Sequence, residues 1–228
     1  MRLVIANKLY SSWSLRPWLV MRAFDIPFDE VVIPLRTPQT KDQISAVSPS
    51  GKVPVLIDGD IHVWESLAII EYLAGKYPGK GIWPADVGAR AHARSIANEM
   101  HGGFMPVRQA LPMNLGKRFK TPDLSEDARE SIARIEEIWR TTRARFAPSG
   151  GTDFLFGAFN AADAMYAPVV TRFDTYQIPV ASDTRAYMDA VLAYPAFQAW
   201  KRAALAEPWI ITDYEAGHEA VETIADNA

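Results

Sequence analysis

The stretch at residues 53–66, VPVLIDGDIHVWES, restricts the fold of this chain more than any other. Val53, Val55, Leu56 and Ile57 are β-formers, Ile61, Val63 and Trp64 make a second run, and Asp58-Gly59-Asp60 supplies the turn between them. Pro54 has no N–H to give to a ladder, so it belongs at a strand's first residues or in a special turn, where a cis peptide is one solution. A cis proline leaves the Val53 N–H and C=O free to point at a ligand. Glu65 and Ser66 then open a helical run, SLAIIEYLAGKY, in which Leu67, Ile70, Leu73 and Ala74 recur at helical spacing. A carboxylate, a hydroxyl and orphan amide donors gather at that helix start, an arrangement suited to a small zwitterion.

The pattern around this stretch sets the architecture. Residues 3–6 and 28–33 read as strands, and residues 14–24 and 41–47 as helices. With the hairpin and the helix at 65–76 the order is β-α-β-α-β-β-α, so a parallel pair with a right-handed crossover gains antiparallel strands in a small mixed sheet. The segment PGKGIWPADVG is rich in Gly and Pro and reads as a linker. No strand pattern follows it. Ile96, Met100, Phe104, Val107 and Leu111 form a stripe along one helix loosened at Gly102-Gly103 and Pro106. Ala128, Ile132, Ile135, Trp139, Thr142 and Phe146 form another, with Ser125 as N-cap. Further helices fit residues 161–176, 182–193 and 195–206. Asn160 and Asp163 have the spacing of a capping-box variant, a structural role. After Trp209 the acidic tail with Asp213, Glu215, Glu219, Glu222 and Asp226 gives no clear element. Two domains are expected: residues 1–78 as an α/β unit and residues 89–228 as an all-helical one, joined by a linker at 79–88.

Composition removes several functions. The 228 residues carry a net charge of −3 with no block of like charge, which favours neither nucleic acid nor an anionic membrane. The first apolar stretch is too short for a signal peptide, and no segment approaches the ~20 apolar residues of a membrane span. A cytoplasmic address is expected. Cysteine is absent, which excludes disulfides, Cys-ligated zinc and redox chemistry on a protein thiol. The four histidines, His62, His92, His101 and His218, show no paired metal-ligand spacing.

The second informative motif is YSSWSLRPW, at the first strand-to-helix junction. Ser11 and Ser12 lie where open α/β sheets bind ligands. Pro17 is tolerated in a helix's first turn, which puts the start near Ser14 and makes Ser14 the cap. A serine at that junction caps the helix, attacks as a nucleophile or donates to an anion. No Ser-His-Asp set or nucleophile elbow accompanies it, so anion stabilisation is favoured.

Four segments in order, SSWSLRPW, SGKVPVL, WESLAIIEYL and NAADAMYAPVV, resemble the glutathione S-transferase superfamily over essentially the full chain. The first resembles the serine motif of its zeta- and tau-like classes. What the resemblance implies is a thioredoxin-like N-terminal domain followed by an all-α domain that contributes the electrophile pocket, usually in a homodimer. Ser11 matches the serine that hydrogen-bonds the glutathione sulfur, with Ser12 its neighbour at the site and Tyr10 a rival donor. Val53 matches the residue whose backbone pairs with the cysteinyl unit, Glu65 and Ser66 those that hold the γ-glutamyl amine and carboxylate, and Lys52 one that meets a glutathione carboxylate. Trp13, Phe104, Met105, Arg108 and Trp209 are candidates for the electrophile pocket, and His101 is read as a solvated or core histidine. Two departures stand out: Trp13 occupies the position of a cysteine, and Pro17 that of a valine.

The implied function is conjugation of the glutathione thiolate to a small apolar electrophile, a detoxification chemistry with glutathione as co-substrate and no metal or organic cofactor. Serine's role there has a simple physical basis. A free thiol titrates near ~8.5, and lowering that by ~2 units takes about 2.7 kcal/mol of preferential stabilisation, within reach of one O–H···S⁻ bond and a helix N-terminus. Two rivals remain: glutathione-dependent cis–trans isomerisation of a small dicarboxylate, and a non-catalytic binding or regulatory protein. Extra cations in the cleft would favour the isomerase, and Arg108 is the obvious candidate.

Overall fold

In the computed structural model, which describes residues 1–147, 153–215 and 217–224, the chain opens with the expected mixed sheet. Strands β1 (Arg2–Ile5), β2 (Asp29–Val32), β3 (Val55–Asp58) and β4 (Ile61–Trp64) lie in the order β2-β1-β3-β4. The β1–β2 pair is parallel, with Leu3 opposite Glu30, and the other two pairs are antiparallel. Helices α1 (Ser12–Ala23), α2 (Thr40–Ser45) and α3 (Ser66–Lys76) follow β1, β2 and β4. Period-two alternation sorts the faces. Leu3, Ile5 and Leu56 join the main core with α1 and α3, whereas Val4 turns to Ile33 and Ile44 in a smaller cluster beneath α2. The Val53–Pro54 peptide is cis and immediately precedes β3.

The first helix starts two residues earlier than expected. Ser11, not Ser14, is the N-cap, its hydroxyl accepting the Ser14 N–H at 3.4 Å. Ser14 is instead a buried linchpin whose hydroxyl accepts the Ala6 N–H at 3.1 Å. Pro17 therefore sits in the second turn, where its ring offers no N–H to the Trp13 carbonyl.

Beyond a short 3₁₀ turn at Pro78–Lys80 the chain is mostly helical: α4 (Val87–Gly102), α5 (Met105–Ala110), α6 (Glu126–Phe146), α7 (Ala161–Thr175), α8 (Ser182–Ala193) and α9 (Pro195–Leu205). The single helix expected through residues 96–111 is two. At Gly103 an added Cβ would lie 2.6 Å from the Glu99 carbonyl oxygen, and the next residue, Phe104, takes φ 57° before Pro106 restarts the helix. A second correction concerns strands. Between α5 and α6 lies β5 (Lys117–Phe119), which pairs antiparallel with β6 (Ala220–Thr223) in the acidic tail. Short and polar, neither has the apolar alternation that marks a strand; ion pairs from Arg118 to Glu222 and Lys120 to Glu219 accompany the ladder. Of the tail residues singled out above, Asp226 lies outside the described residues.

Helix α7 is the hub. Every residue but Asp174 is buried, and it packs against α1, α4 and α8. Its start carries the expected capping box, with Asp163 accepting the Asn160 N–H at 3.0 Å. Ser125 caps α6 as expected. Long-range polar bonds tie the opening sheet unit to these helices: Arg16 Nε to the Met165 carbonyl at 3.1 Å, and Trp200 Nε1 to the Lys8 carbonyl at 3.1 Å.

Candidate functional site

The loop after β1, the cis-proline loop before β3 and the N-terminus of α3 converge on one cleft, closed from the helical side by α5, Arg172 of α7 and the tail. Two adjoining cavities fill it. The smaller, about 230 Å³, is bordered by Ser50, Pro54, Glu65 and Ser66. The larger, about 670 Å³, is bordered by Ser11, Ser12, Met105, Met113, Arg172 and Tyr214 among others. Trp13, Lys52, Val53 and Arg108 border both. All six residues singled out for tripeptide binding, Ser11, Ser12, Lys52, Val53, Glu65 and Ser66, therefore lie on one cleft.

At the smaller cavity the backbone is held in a rare conformation. Glu65 is the N-cap of α3 with φ 68° and ψ 125°, yet its side chain makes no capping bond. Instead the carboxylate, half exposed, lies 3.5 Å from His101 Nε2 of α4. Ser66, only 1% exposed, has a hydroxyl with no partner in the protein. A buried unpaired hydroxyl costs stability, and a left-handed non-glycine residue beside it adds strain; both features concentrate at ligand sites. Lys52 is exposed, with its backbone fixed from both sides by the Ser48 hydroxyl, which donates to the Lys52 carbonyl at 2.6 Å.

At the larger cavity the two serines differ. Ser11 Oγ donates to Ser14 Oγ at 2.8 Å, whereas the Ser12 hydroxyl makes no hydrogen bond among the described residues. The Tyr10 hydroxyl is committed to Glu215 at 3.0 Å, and its ring stacks on Tyr214 at 5.6 Å. Burial foremost, and then the Glu215 carboxylate, push the Tyr10 phenol up to about 12, against the lowering effect of a backbone contact at Ile211. So Tyr10 is a wall anchor for the tail rather than a free donor.

Beyond Lys52 and Arg108, the cleft's charge is what the sequence reading missed. Arg16 is buried on α1, Arg172 is buried on α7, and Arg108 closes α5; among the described residues none of the three pairs with a carboxylate. Arg172 spends Nη1 on the carbonyls of Leu111 and Arg108. Burial, and then mutual repulsion with Arg108, bring the Arg172 guanidinium down to about 10. Arg16 and Arg108 lie 4.2 and 4.1 Å from the centroid of the Trp13 ring, and His101 meets that ring edge-on at 5.2 Å. Desolvation chiefly, then Arg16, lowers the His101 pKa, against a raising effect from Glu65. His101 borders neither cavity; it stands behind the cleft wall, in contact with Glu65 and Trp13. The available signal was a lone arginine inside an apolar helical run, SLRPWLV and PVVTRF. Of the five expected pocket residues, Trp13, Met105 and Arg108 border the cavities. Phe104 and Trp209 do not: Phe104 packs on the core at the α5 start, and Trp209 is half-buried elsewhere.

Among the described residues no cluster of His, Asp or Glu is placed to hold a metal ion, and no helix is long and apolar enough to cross a membrane. Comparison with known proteins gives two family matches: the glutathione S-transferase N-terminal domain over residues 10–76 and the C-terminal domain over residues 122–203. A zeta class glutathione S-transferase of Euphorbia esula is 28% identical over 186 residues, covering 76% of this chain and 81% of the relative. A probable maleylacetoacetate isomerase of Caenorhabditis elegans is 31% identical over 112 residues, 47% of this chain and 52% of that protein. A glutathione transferase homologue from Burkholderia, solved with bound glutathione, superposes with a TM-score of 0.67 at 22% identity, over 90% of this chain and 98% of its own. At that identity the likeness concerns the fold.

Proposed function

We propose a function from one premise: the chain belongs to the glutathione S-transferase superfamily. It is a glutathione transferase, with glutathione as co-substrate. In our reading residues 1–78 hold the tripeptide and residues 89–228 hold the electrophile. The γ-glutamyl end enters the smaller cavity, its ammonium against Glu65 and its carboxylate on the Ser66 hydroxyl and the first amides of α3. The cysteinyl unit runs along the Val53 backbone, and the remaining carboxylate meets Lys52. One observation carries this pose: a buried, unpartnered Ser66 hydroxyl on the wall of a cavity that Glu65 also borders.

The sulfur then faces the larger cavity, and Ser11 donates to it. Ser14 makes that donation inexpensive. Its own hydroxyl hydrogen can replace the bond that Ser11 now gives, so Ser11 Oγ turns from Ser14 to the thiolate while the pair stays hydrogen-bonded. The thiol loses its proton to solvent, the hydroxyl holds the resulting charge, and the thiolate attacks an electrophile lying against Met105 and Met113. The test is calorimetry with glutathione, followed by titration of bound thiolate absorbance in wild type, Ser11→Ala and Ser12→Ala. Ser11→Ala should raise the bound thiol's pKa by about one to two pH units. No heat of binding at millimolar glutathione, or an unmoved pKa in both variants, would end this reading.

The charge of the larger cavity favours a second reading. Arg36, Lys52, Arg108 and Arg172 border it against a single carboxylate, Asp213, more cations than the apolar-electrophile expectation allowed. Glutathione-dependent isomerisation of a small dicarboxylate fits that lining. Turnover of maleate-type substrates without net consumption of glutathione would select it.

A further inference from the structure

The four residues shared by the two cavities mark a junction. A tripeptide with its γ-glutamyl end in the smaller cavity and its thiol offered to the larger one must place its sulfur there. Val53 brings backbone to the junction, Trp13 a ring, Lys52 an exposed stem, and Arg108 a guanidinium from the helical side. Resting on the tripeptide pose above, we propose that Arg108 is a second thiolate-stabilising group: its guanidinium, seated on the Trp13 ring, is the fixed positive charge that keeps the bound sulfur ionised.

The seat is built. The Arg108 guanidinium carbon lies 4.1 Å from the Trp13 ring centroid, and Nη1 lies 3.4 Å from the His101 carbonyl oxygen. Arg16 rests on the same ring at 4.2 Å, is tied by Nε to Met165, and has an Nη1 with no partner. Arg108 and Arg172 on the cleft wall, and Arg16 behind the Trp13 ring, thus repel one another, and among the described residues none of the three is paired with a carboxylate. Such a cluster destabilises the fold, and burial lowers the pKa of both Arg16 and Arg108, as expected of cations without a counter-charge. An anion arriving at the junction relieves the repulsion. Glutathione brings its two carboxylates toward α3 and Lys52, which leaves the sulfur as the anion nearest Arg108. A single fixed charge some 6 Å from a thiol, at an effective dielectric constant near 20, lowers the thiol pKa by about two pH units. That is comparable to the whole activation required. On this view the serine directs the thiolate, and the serine and the arginine share its stabilisation.

The experiment uses Arg108→Met, which keeps a long apolar stem over Trp13, and Arg108→Lys, which keeps the charge. Bound glutathione is titrated by thiolate absorbance, and binding of S-methylglutathione, whose sulfur cannot ionise, is measured beside it. Arg108→Met should raise the bound thiol's pKa by about one to two pH units, with S-methylglutathione affinity changed less than about threefold. Arg108→Lys should restore most of the shift. An unmoved pKa in Arg108→Met overturns the inference, as does an equal rise in both variants, which would mean packing on Trp13 rather than charge. Loss of S-methylglutathione affinity in parallel with glutathione would assign Arg108 to a carboxylate instead. If wild type binds no glutathione, the tripeptide pose itself fails; if wild type binds and ionises it while Arg108→Met matches it, only this inference fails.

Discussion

Ser66 sets the terms at the scale of single residues. Its hydroxyl is desolvated without compensation, so the folded protein alone gains nothing from it. Ser66→Ala should leave the melting temperature unchanged or slightly higher, while glutathione affinity falls by roughly tenfold, the usual worth of a hydrogen bond to a charged group. Calorimetry and a thermal melt on the same sample decide it, and a variant that melts lower without losing affinity would make Ser66 a packing residue. Glu65 caps nothing either, and the one partner its carboxylate has among the described residues is His101. The residues 65 and 66 were legible in the sequence because their local pattern, a hairpin running into a helix start, fixes where they sit. Ser11 was legible as a site residue but not as the cap. Whether Ser11 or Ser14 caps α1 depends on the long-range bond from Ala6 to Ser14, which no local pattern reports.

The capping box of α7 is the element with the clearest energetic consequence. Asp163 Oδ1 accepts from the Leu155 N–H and the Tyr187 hydroxyl, and Oδ2 from both nitrogens of Asn160. Complete burial raises its carboxyl to about 7 against those donors. Between about pH 4 and about pH 7 the folded chain thus keeps a proton that the unfolded chain has lost. Asp163 therefore contributes most to stability at the acidic end of that window, and the contribution falls as pH rises through about 7. Asp163→Asn, whose amide must oppose some of the same donors, should be less stable than wild type by roughly 1–3 kcal/mol. That gap should narrow from about pH 5 to about pH 8, read from urea midpoints. A widening gap would mean that the four donors hold the carboxylate ionised throughout.

For the molecule as a whole, the sequence suggested two parts, yet one buried cluster runs through both. Leu3 and Leu15 from the opening unit and Trp139, Tyr166 and Trp200 from the helices belong to the same core. Helix α1 packs on α7 as well as on α3, and Arg16 and Trp200 bond across the join. Thermal unfolding should therefore be a single cooperative transition, with calorimetric and van 't Hoff enthalpies equal within error. Two resolved transitions would show that residues 1–78 fold as an independent unit. The tail belongs to this scale too. Through β6, Glu215 and Tyr214 it is fastened to Lys117, Asn114 and Tyr10, and so it becomes a wall of the larger cavity.

The sequence by itself determined the succession of strands and helices in the opening unit, the helix start at residues 65–66, the capping box of α7 and, through its motifs' resemblance to a family, six residues that line the cleft. Each of these is written in short-range periodicity, turn chemistry or a motif of a few residues. Only the tertiary structure decided what the cleft contains. The break at Gly103-Phe104 goes with a close backbone approach to Glu99, and the polar strands β5 and β6 pair across about a hundred residues. Arg16, Arg108 and Arg172 come from three separate helices, and their shared lack of an acidic partner is a property of their surroundings. A linear pattern records which side chains a helix carries; the charge left uncompensated where three helices meet arises only when they pack.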